Sequence, residues 1–507
     1  MELDQKTREF LASHDHRYHA LGDYPGGMSD PIHSKYNPLA RQRAIGCLCT
    51  PSGISRAYVD QAWVVMLYKQ NLIDGKTAKN LLIAIEEAKK EPTYRGENWL
   101  KEFLGGDEDT ASAVNLGRTL QEPMSRLHLR IILNDFFDKA LDCLEKILNF
   151  AYERRDLIMP GHTHMSQAQP TTYGAYMVAI YDGLVRCIEQ LELAYRQNNL
   201  CSAGCGALSG SGWPIDRYYV AKLLGFDDIV GSCLDSEAGQ DYATTVLFAL
   251  TNMMLIMTRT TMDHEVWGLE EVGHFTVDGV VAGPSSLMPQ KAHPCGELEM
   301  IRAHANDVLT AMYRGVLALH GEPYEDILPI YQAWNSAESA LYSAMHTLLL
   351  FVGYLPHMHF NKERMLENVR SGYSCMPDLA IYLIKEKGIG GRRAHRMCAT
   401  TTFLARRRGI KGYEITAELF NEALELNKEE VRDILTTKEI QEYLDPVKFI
   451  ERHNNIGDPN PNEVARQITQ RREVLNGLKN RHNERLEKLK QAQDTLNSES
   501  KAIIDNN

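Results

Sequence analysis

Apolar residues recur at intervals of three and four along most of the chain. The stretches "GISRAYVDQAWVVMLYKQNLID" (53–74), "YGAYMVAIYDGLVRCIEQLELAYRQ" (173–197) and "ELEMIRAHANDVLTAMYRGVLAL" (297–319) show this clearly, and the spacing predicts helices. The run from Ser232 to Met257 passes from polar cap residues into a nearly all-round apolar stretch, which predicts a helix buried on most sides. Apart from 53–74, which belongs to a separate helical region before residue 117, these segments and 338–355 form the candidate members of one long bundle. Alternating, strand-like patterns are sparse. A further helical region begins after about residue 366. It closes in a charge-rich helix, 463–490, whose Val464, Ile468, Leu475, Leu478, Leu486 and Leu489 give a narrow apolar stripe. The last dozen residues are expected to fray. The pattern predicts an all-α protein of three regions: an N-terminal helical domain (1–117), a central helical bundle (118–366), and a C-terminal helical domain with an extended terminal helix (367–507).

Composition narrows the function. The 507 residues are 44% hydrophobic and 24% charged, with a net charge of -12, and no basic stripe with interleaved aromatics appears, which argues against a nucleic-acid partner. The opening "MELDQKTREF" lacks the apolar core of a signal peptide. The most apolar stretches, such as 342–355, are too short and too often interrupted to span a bilayer, so no membrane partner is expected. Ten cysteines are scattered without a CxxC pair, the usage of a reduced, cytoplasmic protein. His14, His16 and His19 lack a carboxylate or thiol spaced to complete a metal site, and no metal is expected.

Three Gly- and Pro-containing segments separate the bundle helices: "MPGHTHMSQAQP" (159–170), "SAGCGALSGSGWP" (202–214) and "GPSSLMPQKAHP" (283–294). The second reads as a tight turn: its spacing is GxGxxxG and no strand is expected before it, so a dinucleotide site is not indicated. In the third, Ser285, Ser286, Lys291 and His293 crowd an irregular backbone, while Met288 and Pro289 help exclude water. Free backbone amides beside a lysine make a receptor for an anion, including charge that develops during a reaction. A serine in that field is a candidate base or nucleophile. The alternative is a capped loop whose serines satisfy backbone groups. A Ser-His-Asp hydrolase is disfavoured because no GxSxG elbow is present. The first segment adds two imidazoles, His162 and His164, that exchange protons near neutral pH.

Taken together these segments resemble the fumarase/aspartase superfamily, most closely argininosuccinate lyase. "PSSLMPQKAHP" is similar to the superfamily signature GSSxMPxKxNP, "MPGHTHMSQAQP" to MPGYTHLQxAQP, and "GALSGSGWPIDR" (206–217) to GALAGT…DR. Further similarity lies in 29–37, 376–395 and 443–464. The resemblance implies a three-domain helical fold forming a homotetramer, with each active site assembled from loops of three subunits. It also implies a cofactor-free β-elimination that leaves fumarate. By position, Ser285 would be the base, Lys291 would stabilise it and the dianionic intermediate, Thr163 would bind a substrate carboxylate, and His164 would help protonate the departing nitrogen. Ser286 and Met288 would close the cradle.

The departures fall where substrate would be recognised. The family's GRSRN reads "GRTLQ" (117–121), keeping Arg118 but placing Leu120 and Gln121 at the next arginine and the asparagine. Leu39 replaces a binding serine, and His293 the asparagine of KxN. In the family's SxRD stretch, Ala238 and Gln240 replace serine and arginine. Tyr324 is the one candidate retained from the segment that holds the arginine portion, and no lysine remains in 323–334. The glutamate that supports the histidine aligns with Leu298, or with Glu299 if one residue is inserted near 295–296. Losing a bidentate carboxylate clamp and gaining leucines disfavours a small polyanionic substrate. Three readings follow: a carbon–nitrogen lyase acting on another N-substituted aspartate or related amino acid, a non-catalytic homologue on the same fold, or argininosuccinate lyase itself.

Overall fold

The computed structural model describes residues 53–507 apart from 92, 93, 95, 120–122, 279, 280, 282–286 and 289–295. The first two described helices, α1 (Gly53–Lys69) and α2 (Gly75–Ala88), pack as a pair, and Asp74 caps α2 by accepting from the Thr77 amide. Their Ala62, Trp63, Val65, Leu81 and Ile85 begin an apolar cluster that also takes Leu223 and Phe226 from mid-chain.

Five long helices make the central bundle: α3 (Met124–Glu153), α4 (Tyr173–Asn198), α5 (Asp241–Gly268), α6 (Gly296–Leu317) and α7 (Tyr331–Tyr354). Each packs on its neighbours around a large core, with Phe136, Leu144, Leu184, Leu250, Met254, Ile301, Leu341 and Phe351 fully or almost fully buried. Helix α5 was expected to be buried on most sides. It is, except for one face, where Phe248, Leu255 and Met262 are 53%, 47% and 44% exposed. They recur every seven residues and so line a single stripe.

A third apolar cluster gathers Leu379, Leu383, Phe420, Leu424 and Phe449. They come from the short helices that follow α8 (Lys362–Arg370), namely α9 (Met376–Lys385), α10 (Gly391–Arg408), α11 (Ala417–Leu426), α12 (Thr437–Leu444) and α13 (Pro446–Arg452). The terminal helix α14 (Pro461–Asn506) is 46 residues long, roughly 70 Å at the α-helical rise. Its Val464, Ile468, Leu475 and Leu478 enter the central core. Contrary to the expected fraying, Leu496 and Ile503 are buried in the first cluster, and Gln61 Nε2 donates to Ser500 Oγ at 2.9 Å. Of the expected stripe, Leu486 stays 39% exposed.

Among the described residues the strands form three small pairs. β1 (Ile158–Thr163) and β2 (Ser166–Thr172) are antiparallel, β3 (Leu200–Cys201) and β4 (Asp228–Ile229) are parallel, and β5 (Phe275–Val277) and β6 (Met358–Phe360) are antiparallel. A short strand therefore does precede the glycine-rich stretch. That stretch is nonetheless a tight turn: Gly206 has φ +61, and a Cβ there would lie 2.3 Å from the Gly210 carbonyl oxygen. No described helix is long and apolar enough to cross a membrane.

Candidate active site

The segment "MPGHTHMSQAQP", expected as a loop, is the β1–β2 hairpin. Thr163 faces Ser166 across its end, so His164 and Met165 alone make the turn. Both carry positive φ, 53 and 58. A two-residue hairpin turn of this hand ordinarily takes Asn-Gly, because side chains crowd the backbone there. Holding two larger residues in it stores strain of the kind found at functional sites. The tip is presented outward: His162, Thr163 and His164 are exposed, and Met165 is 84% exposed.

The base of the hairpin is tied down. At the bulge, a Cβ on Gly161 would meet the Gln169 carbonyl oxygen at 2.6 Å. Gln167 Nε2 donates to the Asn368 carbonyl at 2.7 Å. Thr172 caps α4 through the Ala175 amide and donates to the Pro459 carbonyl. Tyr173 bonds back to the Leu157 carbonyl through its amide at 2.8 Å. Its hydroxyl lies 2.9 Å from His264 Nε2, inside a box of aromatic rings that includes Phe351 and Trp267. Burial there pushes the His264 imidazole down to about 3, so it is neutral.

Glu299 lies in the first turn of α6 and is exposed, whereas Leu298 is completely buried. The core takes the leucine and leaves the glutamate facing out. The carboxyl of Glu265, raised chiefly by burial, is raised further by Glu299 and held by Arg302. Met288 is 47% exposed. Ser285, Ser286, Lys291, His293 and Gln121 lie outside the described residues.

The remaining candidates sit at the other end of the bundle, near the N-termini of α3, α5 and α7. Since α3 spans 30 residues, the two ends are roughly 40–45 Å apart. The Arg118 side chain is only 2% exposed and forms an ion pair with Asp60, which also accepts from the Tyr94 hydroxyl at 2.6 Å. The guanidinium lies 5.5 Å from the Trp63 ring, while its Nε and Nη1 are buried without a partner among the described residues. Gln240 is buried too, accepting from the Tyr242 hydroxyl at 2.9 Å. Tyr324 is exposed and donates to Asp235 at 2.5 Å, a bond that pushes its phenol up to about 12. One chain thus separates Thr163, His164 and Glu299 from Arg118, Gln240 and Tyr324.

Sequence reasoning missed a second buried pair at this end: His128 Nε2 lies 3.0 Å from Glu338 Oε1, with side chains 7% and 1% exposed. A signal was available, because Glu338 is the one charge in "WNSAESALYSAM" (334–345). Among the described residues no group of three or more His, Cys, Asp or Glu side chains could hold a metal ion.

Comparisons with known proteins agree with this architecture. Residues 62–310 match a protein family described as Lyase. An argininosuccinate lyase of Acetivibrio thermocellus is 30% identical over 344 residues, 65% of this chain and 73% of that protein. One from Methanothrix thermoacetophila is 26% identical over 452 residues, 86% of this chain and 90% of that protein. Among solved structures, EDDS lyase in complex with formate superposes with a TM-score of 0.81 at 26% identity, covering 89% of this chain and 91% of that one. The class II fumarase of Schistosoma mansoni, at 14% identity, shares the fold with a TM-score of 0.64 over 79% of this chain and 91% of that one. The chain belongs to the argininosuccinate lyase-like branch of the fumarase/aspartase superfamily.

Proposed function

We propose that this protein is a carbon–nitrogen lyase that eliminates an amine from an N-substituted aspartate or related amino acid, leaving fumarate or a similar unsaturated acid. In reverse it adds the amine to that acid. Ser285 takes the proton from the carbon beside a carboxylate. Lys291 and the surrounding amides stabilise the charge that builds on the carboxylate. The electron pair from the broken C–H bond forms the double bond as the C–N bond breaks, and His164 delivers a proton to the departing nitrogen. Thr163, Ser286, Met288, His293, Arg118, Gln121, Gln240 and Tyr324 hold the substrate, and Glu299 supports the histidine. Relatives named argininosuccinate lyase, and an EDDS lyase variant with bound fumarate at 26% identity, support this chemistry.

The observation that carries the reading is the hairpin tip, where a proton-exchanging imidazole is held outward on a strained turn with its base anchored. Its distance from Arg118 and Gln240 supports a shared site in a homotetramer, acting in the cytoplasm, in which the tip of one copy meets the far end of another. The exposed stripe Phe248, Leu255 and Met262 supplies an apolar face for that association.

The test is to incubate fumarate with a panel of amines and follow loss of fumarate absorbance. Adduct formation is expected with at least one amine, reduced on the order of 10³-fold or more by Ser285→Ala. Adduct formation unaffected by that substitution contradicts the mechanism. Rapid cleavage of argininosuccinate in a parallel assay would instead make the protein an argininosuccinate lyase.

A further inference from the structure

Two imidazoles under the hairpin, His162 and His274, have no part in the chemistry above. His162 faces Gln167 across the strand pair, next to the bulge at Pro160, so their side chains are neighbours on one face of the ribbon. Gln167 meets the last turn of α8, where its Nε2 donates to the Asn368 carbonyl at 2.7 Å. A Cβ on Gly372 would overlap Gln167 Oε1, so glycine at 372 is what leaves room for the amide.

The Asn368 side chain carries the connection inward. Its Nδ2 donates to His274 Nε2 at 3.1 Å and to the Val272 carbonyl at 3.3 Å. Because Nε2 accepts, the His274 imidazole keeps its proton on Nδ1, an atom buried without a partner among the described residues. His274 is 2% exposed, and its backbone is held on both sides. The amide donates to the Trp267 carbonyl at 3.0 Å, and the carbonyl accepts from the Asn361 amide at 2.8 Å. Burial first, then the neighbouring His162 and Arg364, push the imidazole down to about 4. Above that pH it is neutral and able to accept from Asn368. A leucine of similar size would fill the space and offer Asn368 nothing to bond.

We propose that His274, through Asn368, is a positioning residue for the proton donor of the elimination. It fixes how the hairpin leaves α8, and so where His164 stands, three residues from Gln167. The inference rests on the reading of His164 as proton donor given above. The turn has only two residues in which to absorb a tilt, and a displacement of about 1 Å at a reacting group can cost on the order of 10²-fold in rate.

Methionine-methyl NMR on the full chain tests the positioning apart from turnover. Met165 sits beside His164 on the tip and is 84% exposed, and Met165→Leu identifies its signal. In His274→Leu and Asn368→Leu the Met165 signal is expected to move, while that of Met254, in the bundle core, stays in place. His274→Gln, whose amide oxygen can accept from Asn368, is expected to bring the signal back toward its wild-type position. In the addition of an amine to fumarate, the leucine variants are expected to lower kcat about tenfold to a hundredfold and leave KM for both reactants within about twofold. His274→Gln is expected to restore part of that loss. Should His274→Leu fail to fold by circular dichroism, Asn368→Leu, at a half-buried position, carries the same comparison.

A Met165 signal unmoved in the folded variants overturns the inference, and so does a moved signal with kcat unchanged. The reading of His164 fails separately, if His164→Asn leaves kcat at the wild-type level.

Discussion

At one end of the central bundle the chemistry-bearing groups are bare, and at the other they are enclosed. His164 stands exposed on a turn whose two residues both have positive φ. Asp60 with Arg118 is an ion pair, and His128 with Glu338 a hydrogen-bonded pair, all with side chains 7% exposed or less. Exposure suits the bare end to the role proposed for His164, in which the imidazole reaches a substrate bound by another copy. The enclosed end gains by rigidity, because buried charges hold one geometry. Under the proposed function, recognition and proton transfer are divided between regions tens of ångströms apart, and assembly is what would join them.

The contrast can be broken most sharply at His164. Asparagine tolerates the left-handed backbone, so His164→Asn is expected to keep the thermal midpoint while lowering the elimination rate by on the order of 10²–10⁴. A melt that falls along with the rate would make the residue structural. Mixing is the companion experiment. His164→Asn combined with Arg118→Gln, denatured and reassembled together, is expected to recover about a tenth to a quarter of wild-type activity if sites span copies. Recovery no greater than the sum of the separate variants would place each site within one chain.

The enclosed end is probed by Asp60→Asn, which leaves Arg118 buried without its counter-charge. The expected loss is about 3–5 kcal/mol by urea denaturation. A loss below 1 kcal/mol would show that the pair does not organise this end.

A smaller effect concerns acid. His264, under the hairpin, stays neutral when folded down to about 3, while an unfolded imidazole takes its proton near 6.5. The stabilisation is complete above 6.5 and is lost as pH falls toward 3, because only the unfolded chain gains the proton. Wild type should lose about 2 kcal/mol more than His264→Phe between pH 6.5 and 5. Parallel curves for the two proteins would place the acid sensitivity elsewhere. Smallest of all, Met165→Gly should stabilise the fold by about 1 kcal/mol by relieving the turn, and unchanged stability would show that the turn carries no strain.

Much of the fold was legible because helical periodicity is local. Four of the five bundle helices follow from spacing alone, as does the terminal helix through about residue 490; α3 (Met124–Glu153) is not among the stretches that spacing picked out. The hairpin was not legible, since "MPGHTHMSQAQP" has the Gly and Pro content of a loop and its pairing depends on contacts with Asn368 and Pro459. The burial of Leu496 and Ile503 was hidden for a similar reason: the surface that covers them comes from residues hundreds of positions away, in α1, α2 and the mid-chain segment with Leu223 and Phe226. For the site, Thr163 and His164 were marked by their motif, yet their distance from Arg118 was not. Glu338 carried a signal, a lone charge in an apolar run, whose meaning required the partner on α3.

The terminal helix has a consequence for how the chain is made. Because Leu496 and Ile503 lie in the same cluster as Trp63 and Leu81, helices made early in translation cannot finish their core until residues near 503 have emerged. Domains ordinarily fold in the order of synthesis. Here an early segment waits for one made more than four hundred residues later, with apolar surface uncovered over that interval, so a chaperone that shields nascent helices is expected to raise the yield of folded protein more than one acting after release.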